Sequence, residues 1–176
     1  MPNDDALTNA FTSYAAGRLE DCLDNIERCV GLLSQDQVWH RPNEVSNSIG
    51  NLVLHLTGNV RQWILLGMTG EPFERDRPAE FAERGPLPVE TILPPLRQTV
   101  ERANAAIASL TPEALLRDYP IQGRSVTGTA AVFHVVEHFS FHTGQIVSTT
   151  KLLTGRDLSL YDPQGRRVGA LRGKSV

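Results

Sequence analysis

Apolar residues recur at helical spacing through most of the chain. A helix brings residues three and four apart onto one face, so such a stripe marks the side that packs into a core. The pattern predicts four long helices, over residues 4–34, 48–68, 89–109 and 127–154. No segment of any length shows the alternation of a strand, and residues 118–126 are expected to form a loop with at most one extended pair.

A long polar stretch separates the second and third helices. Residues 69–88 are rich in Gly, Pro, Glu and Arg, which is typical of a surface crossover. We therefore predict an all-α fold, a four-helix bundle with a long crossover between helices 2 and 3. The chain is expected to form a single domain over residues 1–176, with its core at about 5–155 and a loosely packed C-terminal tail at 156–176.

Local signals support the predicted helix ends. Ser48 and Thr127 can act as N-caps, and Gly155 can end the last helix. The pair Pro94 and Pro95 lies inside the third helix, where proline removes a backbone donor. We expect either a kink there or a later start of that helix.

Composition and charge exclude several functional classes. The 176 residues include 17 basic and 20 acidic ones, a net charge of −3 without a basic block, so neither nucleic acid nor an anionic membrane is an expected partner. No apolar run is long enough for a membrane span, and the N-terminus lacks the core of a signal peptide. A cytoplasmic location is expected.

The two cysteines are predicted to be core residues in a reducing compartment. Cys22 and Cys29 lie seven residues apart on one predicted helix, which separates them by about 10.5 Å along its axis. A disulfide requires Cα atoms within about 7 Å, so the two cannot pair with each other.

The fourth helix carries a row of histidines. His134, His138 and His142 follow at intervals of four, so they lie on one side within roughly 80°. The rest of the helix is apolar almost all round, and we expect it to be buried. Buried polar groups without partners cost about 1–3 kcal/mol each, and a metal ion is the partner that we favour for these imidazoles.

A further histidine, His55, lies on the second helix at the edge of its apolar face. Its position fits a side chain in a cleft and a half-exposed one equally well. In the first case His55, His138 and His142 form a three-nitrogen site with open positions, which suits zinc, nickel, iron or manganese. Gln145 would then support a ligand, and His134 is a fourth ligand, a residue behind the ligands or a general base.

Two other interpretations compete with this site. His134-Val-Val-Glu137-His138 matches an inverted metallopeptidase pattern, but that pattern needs a further acidic ligand and no Glu follows Glu137. Alternatively, the row consists of core histidines that are satisfied by hydrogen bonds. The remaining histidine, His40, stands beside an arginine and is expected at the surface.

Two stretches resemble the DinB/YfiT-like superfamily of metalloenzymes. They are Ser48-Ile-Gly-Asn-Leu-Val-Leu-His55-Leu-Thr-Gly, preceded by Trp39-His-Arg-Pro-Asn, and His138-Phe-Ser-Phe-His142-Thr-Gly-Gln145-Ile. The resemblance covers residues 5–155. It implies a four-helix bundle in which His55, His138 and His142 bind a divalent metal. Thr143 stands where many members carry arginine, so that arginine's role does not carry over.

The resemblance also implies a function. Characterised members include S-transferases and an isomerase that use bacillithiol, mycothiol or glutathione, in which the metal would lower the pKa of the thiol. We therefore expect a cytoplasmic enzyme that uses a divalent metal, zinc or nickel first, to activate a low-molecular-weight thiol. A homodimer is implied as well. The alternatives are a non-catalytic metal-binding or stress-response bundle and a helical bundle without metal.

Overall fold

The structure, a computed structural model, describes residues 2–166 and residue 168. It confirms the all-α prediction, since helices form almost all of the regular structure in these residues. The helices are α1 (Pro2–Val30), α2 (Gln35–Val38), α3 (Ile49–Val60), α4 (Arg77–Ala82), α5 (Val89–Ala108), α6 (Pro112–Leu116) and α7 (Gly128–Thr154).

The long helices α1, α3, α5 and α7 form the bundle. Contacts from Glu27 to Arg97 and from Glu20 to Asn104 show that α1 and α5 are antiparallel, because residue numbers rise on one helix as they fall on the other. The crossover between α3 and α5 is where the sequence predicts it. It contains the short helix α4, which the sequence analysis assigned to an irregular stretch.

The core lies between the four long helices. Each of these helices contributes side chains that are removed from water, and each such side chain stabilises the fold by about 1.5–3 kcal/mol. Phe139 of α7 is the largest fully buried side chain. Others with no exposed surface are Leu19, Ile26, Leu56, Val60, Leu96, Ile107, Val135 and Ile146.

The start of α3 is fixed by the predicted cap. Ser48 Oγ accepts a hydrogen bond of 3.0 Å from the backbone N–H of Asn51, and Asn51 Oδ1 accepts one of 3.1 Å from the backbone N–H of Ser48. Beyond Val60 the helix continues as a π-helical segment at Arg61–Leu66. Its bonds reach five residues back, as from Gly67 N–H to Gln62 O at 3.1 Å.

The third helix of the bundle tolerates its two prolines. α5 begins at Val89 and continues through Pro94 and Pro95. The carbonyls that lose their donors belong to Glu90 and Thr91, both of which are exposed residues, so water can satisfy them.

A small hairpin replaces the loop expected before α7. Its strands are β1 (Asp118–Ile121) and β2 (Arg124–Thr127), which pair antiparallel with Asp118 opposite Thr127. The two turn residues, Gln122 and Gly123, have φ values of 51° and 73°, as a two-residue hairpin turn requires.

The expectation that the last helix is buried almost all round is wrong. Phe133 and Phe141 are each 62% exposed, and Leu152 is 82% exposed. α7 packs on α1 and α3 and leaves its outer side uncovered. Apolar content alone could not reveal this side, because the exposed positions carry the same residue types as the buried ones.

Two further predictions concern the cysteines and membrane spans. Cys22 and Cys29 are free and buried, as predicted. None of the helices within residues 2–166 is long and apolar enough to cross a membrane.

The first part of the C-terminal tail packs more tightly than expected, since Leu158 is 5% exposed and its carbonyl accepts a 2.7 Å hydrogen bond from Arg28. The rest of it, at 167 and 169–176, lies outside the described residues.

Candidate metal site

Three imidazoles meet between α3 and α7. One ring nitrogen each of His55, His138 and His142 lies within 4.8 Å of the other two. The ring centroids are 5.0 Å apart for His55 and His138, 5.2 Å for His55 and His142, and 4.5 Å for His138 and His142. The structure therefore brings together the three residues that the sequence analysis singled out.

His55 occupies the cleft and not the surface. The residue is 4% exposed, and its Nε2 lies 2.8 Å from Nε2 of His138. Two nitrogens bound to one tetrahedral metal at about 2.0–2.1 Å would be about 3.3 Å apart. A slightly larger separation of the two Nε2 atoms would therefore make room for an ion.

Hydrogen bonds define the tautomer of two of these rings. Nδ1 of His55 lies 2.9 Å from Glu80 Oε2, and Nδ1 of His142 lies 2.7 Å from Gln145 Oε1. Both oxygens can only accept, so each Nδ1 carries the proton and donates it. The lone pair of each ring is then on Nε2, which is the form in which histidine binds a metal.

The cluster also favours neutral imidazoles. Burial lowers the pKa of His138 to about 3, and the neighbouring His142, His55, His134 and Arg75 act in the same direction. Burial is likewise the main reason that the pKa of His142 is lowered. Protons therefore compete weakly with a metal for these two rings at neutral pH.

A buried ion pair from the crossover stands behind His55. Arg75 donates from Nε to Glu80 Oε1 at 2.6 Å and from Nη2 to Glu80 Oε2 at 2.8 Å. The two side chains are only 4% and 11% exposed. Burial acts to raise the pKa of Glu80, but the hydrogen bonds from Arg75 and His55 outweigh it and lower that pKa. The carboxylate is therefore ionised.

A glycine on α3 gives this ion pair its space. A Cβ atom on Gly58 would lie 2.0 Å from Glu80 Oε1 and 2.8 Å from Arg75 Nε. Gly58 follows His55 by three residues, so it lies on the same side of the helix. The missing side chain lets the carboxylate approach the helix surface next to the histidine.

His134 is not among the three nitrogens that meet. Its ring stacks on Trp63 with centroids 3.9 Å apart, and the His138 ring lies 5.3 Å away on the same helix. Burial lowers the pKa of His134. Trp63 Nε1 and the nearby Asn59 Oδ1 are buried and make no hydrogen bond to the described residues, so this region is polar as well as packed.

The metallopeptidase pattern does not form a site. Glu137 is exposed and takes no part in the histidine cluster. His40 is exposed too, as expected.

Arg75 and Glu80 were not among the site residues predicted from the sequence pattern. One signal was present, because Asp76 followed by Pro78 is typical of a helix start. Asp76 Oδ1 does accept a hydrogen bond of 3.0 Å from the backbone N–H of Ala79, which caps α4. Recognising α4 would have placed Glu80 on a helix, but its contact with His55 is a tertiary one that no local pattern reveals.

The described part of the chain is a four-helix bundle with its long crossover between the second and third helices. This is the fold of solved DinB-like proteins. The chain belongs to the family described as "Protein of unknown function (DUF1572)", whose model matches residues 6–165. No curated protein matches it.

Solved structures share the fold. A DinB-like protein from Bacillus subtilis is 23% identical, with a TM-score of 0.62 over 85% of this chain and 94% of that one. A conserved protein from Enterococcus faecalis is 16% identical, with a TM-score of 0.71 over 82% and 98% of the two chains. A DinB-like protein from Bacillus cereus is 17% identical, with a TM-score of 0.55 over 82% and 91%.

Proposed function

We propose that the protein binds a divalent metal on His55, His138 and His142 and uses it to activate a low-molecular-weight thiol for transfer. Zinc or nickel suits three imidazoles best, and iron or manganese also fits. The observation that carries the proposal is the convergence of three ring nitrogens from two helices, with one pair of Nε2 atoms 2.8 Å apart.

Hydrogen bonds among the three rings pair only one of two Nε2 lone pairs. His55 and His142 use their N–H groups on Glu80 and Gln145, so each presents only a lone pair at Nε2. A neutral His138 has one ring proton and can donate it to only one of them. The other Nε2 lone pair is then available to a cation, which supports a metal at this position.

The donor set suits thiol chemistry. A divalent ion bound there would lower the pKa of a coordinated thiol, so that the thiol reacts as a thiolate near neutral pH. Three neutral imidazoles add no negative charge, so they leave the positive charge of the ion available for a thiolate. In the transfer the sulfur attacks an electrophilic carbon, the leaving group departs with the bonding electrons, and the thiol proton passes to solvent.

The α7 side of the cluster is open to solvent. His138 and His142 are only partly buried, and Gln145 is exposed. Aromatic rings lie next to the cluster: Phe81 is 4.7 Å from His55 and Phe141 is 5.2 Å from His142, measured between centroids. These rings favour an electrophile with an apolar part. We propose a supporting role for His134, which fills the space between Trp63 and His138.

Elemental analysis of the purified protein tests metal binding. We expect about one divalent metal per chain in the wild type. His138→Ala should lower the affinity at least about 100-fold, since each ligand carries a large share of the binding free energy. His40→Ala, at an exposed histidine, should retain the metal. Equal metal content in wild type and His138→Ala would contradict the proposed site.

A thiol panel tests catalysis separately. Metal-loaded protein should accelerate conjugation of bacillithiol, mycothiol or glutathione with an electrophile, and His138→Ala should not. If metal is bound but no thiol reacts, the protein is a metal-binding bundle without this activity.

We further propose that the protein forms a homodimer through the outer sides of α1 and α7. Leu7 and Tyr14 of α1 are 72% and 67% exposed, and Phe133 of α7 is 62% exposed. Apolar side chains exposed in this number favour a protein contact. Light scattering should show a dimer for the wild type and a monomer for Phe133→Glu, and a monomeric wild type would contradict the proposal.

A further inference from the structure

Of the three proposed ligands, only His55 contacts a carboxylate within the described part of the chain. Its Nδ1 donates to Glu80 Oε2 at 2.9 Å, and both side chains are largely buried. A carboxylate in this position fixes the ring orientation of a metal-binding histidine and makes its other nitrogen a stronger electron-pair donor. The contact therefore has the chemistry of a support for metal binding.

We infer that Glu80 is a positioning residue of the metal site, which orients His55 with its Nε2 toward the metal, and that Arg75 fixes Glu80 in turn. The inference rests on the proposed metal-binding function. It assigns a role in the site to the crossover, which supplies none of the three proposed ligands.

Arg75 is itself restrained from two directions. Its Nε and Nη2 donate to the carboxylate, and its Nη1 donates to Gln62 Oε1 at 2.8 Å. Gln62 Oε1 also accepts a hydrogen bond of 2.7 Å from Gln122 Nε2 in the hairpin turn. Arg75 Nη2 lies 3.1 Å from His55 Nδ1. Both nitrogens are donors, so the hydrogen on His55 Nδ1 is donated to Glu80 and not to Arg75.

The backbone of Glu80 is also attached to α3. Asn51 Nδ2 donates to the carbonyls of Glu80 and Glu83, each at 2.9 Å. Asn51 precedes His55 by four residues, so the anchor and the histidine lie on one side of α3. Together with the space left by Gly58, these bonds determine where the carboxylate meets the ring.

A purely structural role is the alternative. The buried ion pair would then only attach the crossover to the bundle, and its loss would lower stability without changing the metal affinity of the folded protein. The metal affinity of the folded protein and the tautomer of the His55 ring distinguish the two roles. Loss of a purely structural ion pair would change neither of them.

Glu80→Gln is the first variant to test, with Glu74→Gln as its control. Glu74 lies on the same crossover and is exposed, so the control removes the same charge away from the site. Competition with a chromophoric chelator should show Zn²⁺ binding about 10–100-fold weaker in Glu80→Gln. Glu74→Gln should remain within about twofold of wild type. Equal affinity in Glu80→Gln and wild type would overturn the inference.

Nitrogen-15 NMR of the histidine rings tests the same contact without metal. In metal-free wild type, His55 should be the Nδ1–H tautomer with a downfield Nδ1 proton. Glu80→Gln should show a mixture of tautomers, and Glu74→Gln should match the wild type. An Nε2–H tautomer in the wild type would overturn the inference even if the variants fail to fold. If the wild type binds no metal, the proposed function fails, whereas this spectrum still decides whether Glu80 orients His55.

Discussion

The two halves of the candidate site are built on different principles. α7 supplies His138 and His142 four residues apart, so helix geometry alone places them side by side. α3 supplies only His55, and the carboxylate that contacts it lies 25 residues further along the chain. One half is therefore local in sequence, whereas the other exists only once the crossover has folded onto α3.

The halves also differ in exposure. On the α3 side, His55 is 4% exposed and the side chains of Arg75 and Glu80 are 4% and 11% exposed. On the α7 side, His142 is partly exposed and its hydrogen-bond partner Gln145 is exposed. The α3 half is therefore the buried side of the cluster, and the α7 half is the side that is open to solvent.

The largest effect is expected from filling the space behind the buried half. Gly58→Ala would put a methyl group 2.0 Å from Glu80 Oε1, so the ion pair must shift away from His55. Overpacking of this kind costs about 1–3 kcal/mol of unfolding free energy. Urea denaturation of the metal-free protein measures this cost.

The matched control is Gly144→Ala in the open half. A Cβ atom there would meet no heavy atom within 4 Å. Alanine favours a helix interior over glycine by up to about 1 kcal/mol, so this variant should be as stable as the wild type or more stable. If Gly58→Ala were as stable as Gly144→Ala, the tight packing behind His55 would be refuted.

The same contrast explains what the sequence could predict. The helix stripes, the Ser48 cap and the histidine row depend on neighbours within one or two turns, and these predictions agree with the structure. The exposure of Phe133 and the contact of Glu80 with His55 depend on which element packs where. Residue type and spacing do not show which elements pack together. The histidine pair of α7 could therefore be predicted from the sequence, whereas the contact of Glu80 with His55 could not.

Acid should affect the two halves differently in the metal-free protein. The pKa of folded His138 is about 3, below the ordinary value of 6.5. Between these pH values the unfolded chain binds a proton that the folded protein does not, so acid favours unfolding. The contribution of His138 to the free energy of unfolding is therefore complete above pH 6.5 and is lost as the pH falls toward 3.

At pH 5 the loss should amount to about 1–2 kcal/mol of unfolding free energy. The pKa of Glu80 is lowered, so the ion pair of the buried half stays charged at that pH. Urea denaturation at pH 7 and pH 5 measures the difference. The loss should shrink in His138→Ala, and an unchanged loss in that variant would assign it to other groups.

The smallest effect is expected at the support of the open half. Gln145 Oε1 accepts the Nδ1–H of His142 at 2.7 Å, as Glu80 does for His55, but it is neutral and exposed. In Gln145→Ala, water can take the place of the amide at little cost. Zn²⁺ affinity should therefore fall by no more than about threefold, which is well below the 10–100-fold loss typical for a buried carboxylate. A chelator competition that gave Gln145→Ala and Glu80→Gln equal losses would show that burial and charge do not separate the two supports, and the comparison between the halves would fail.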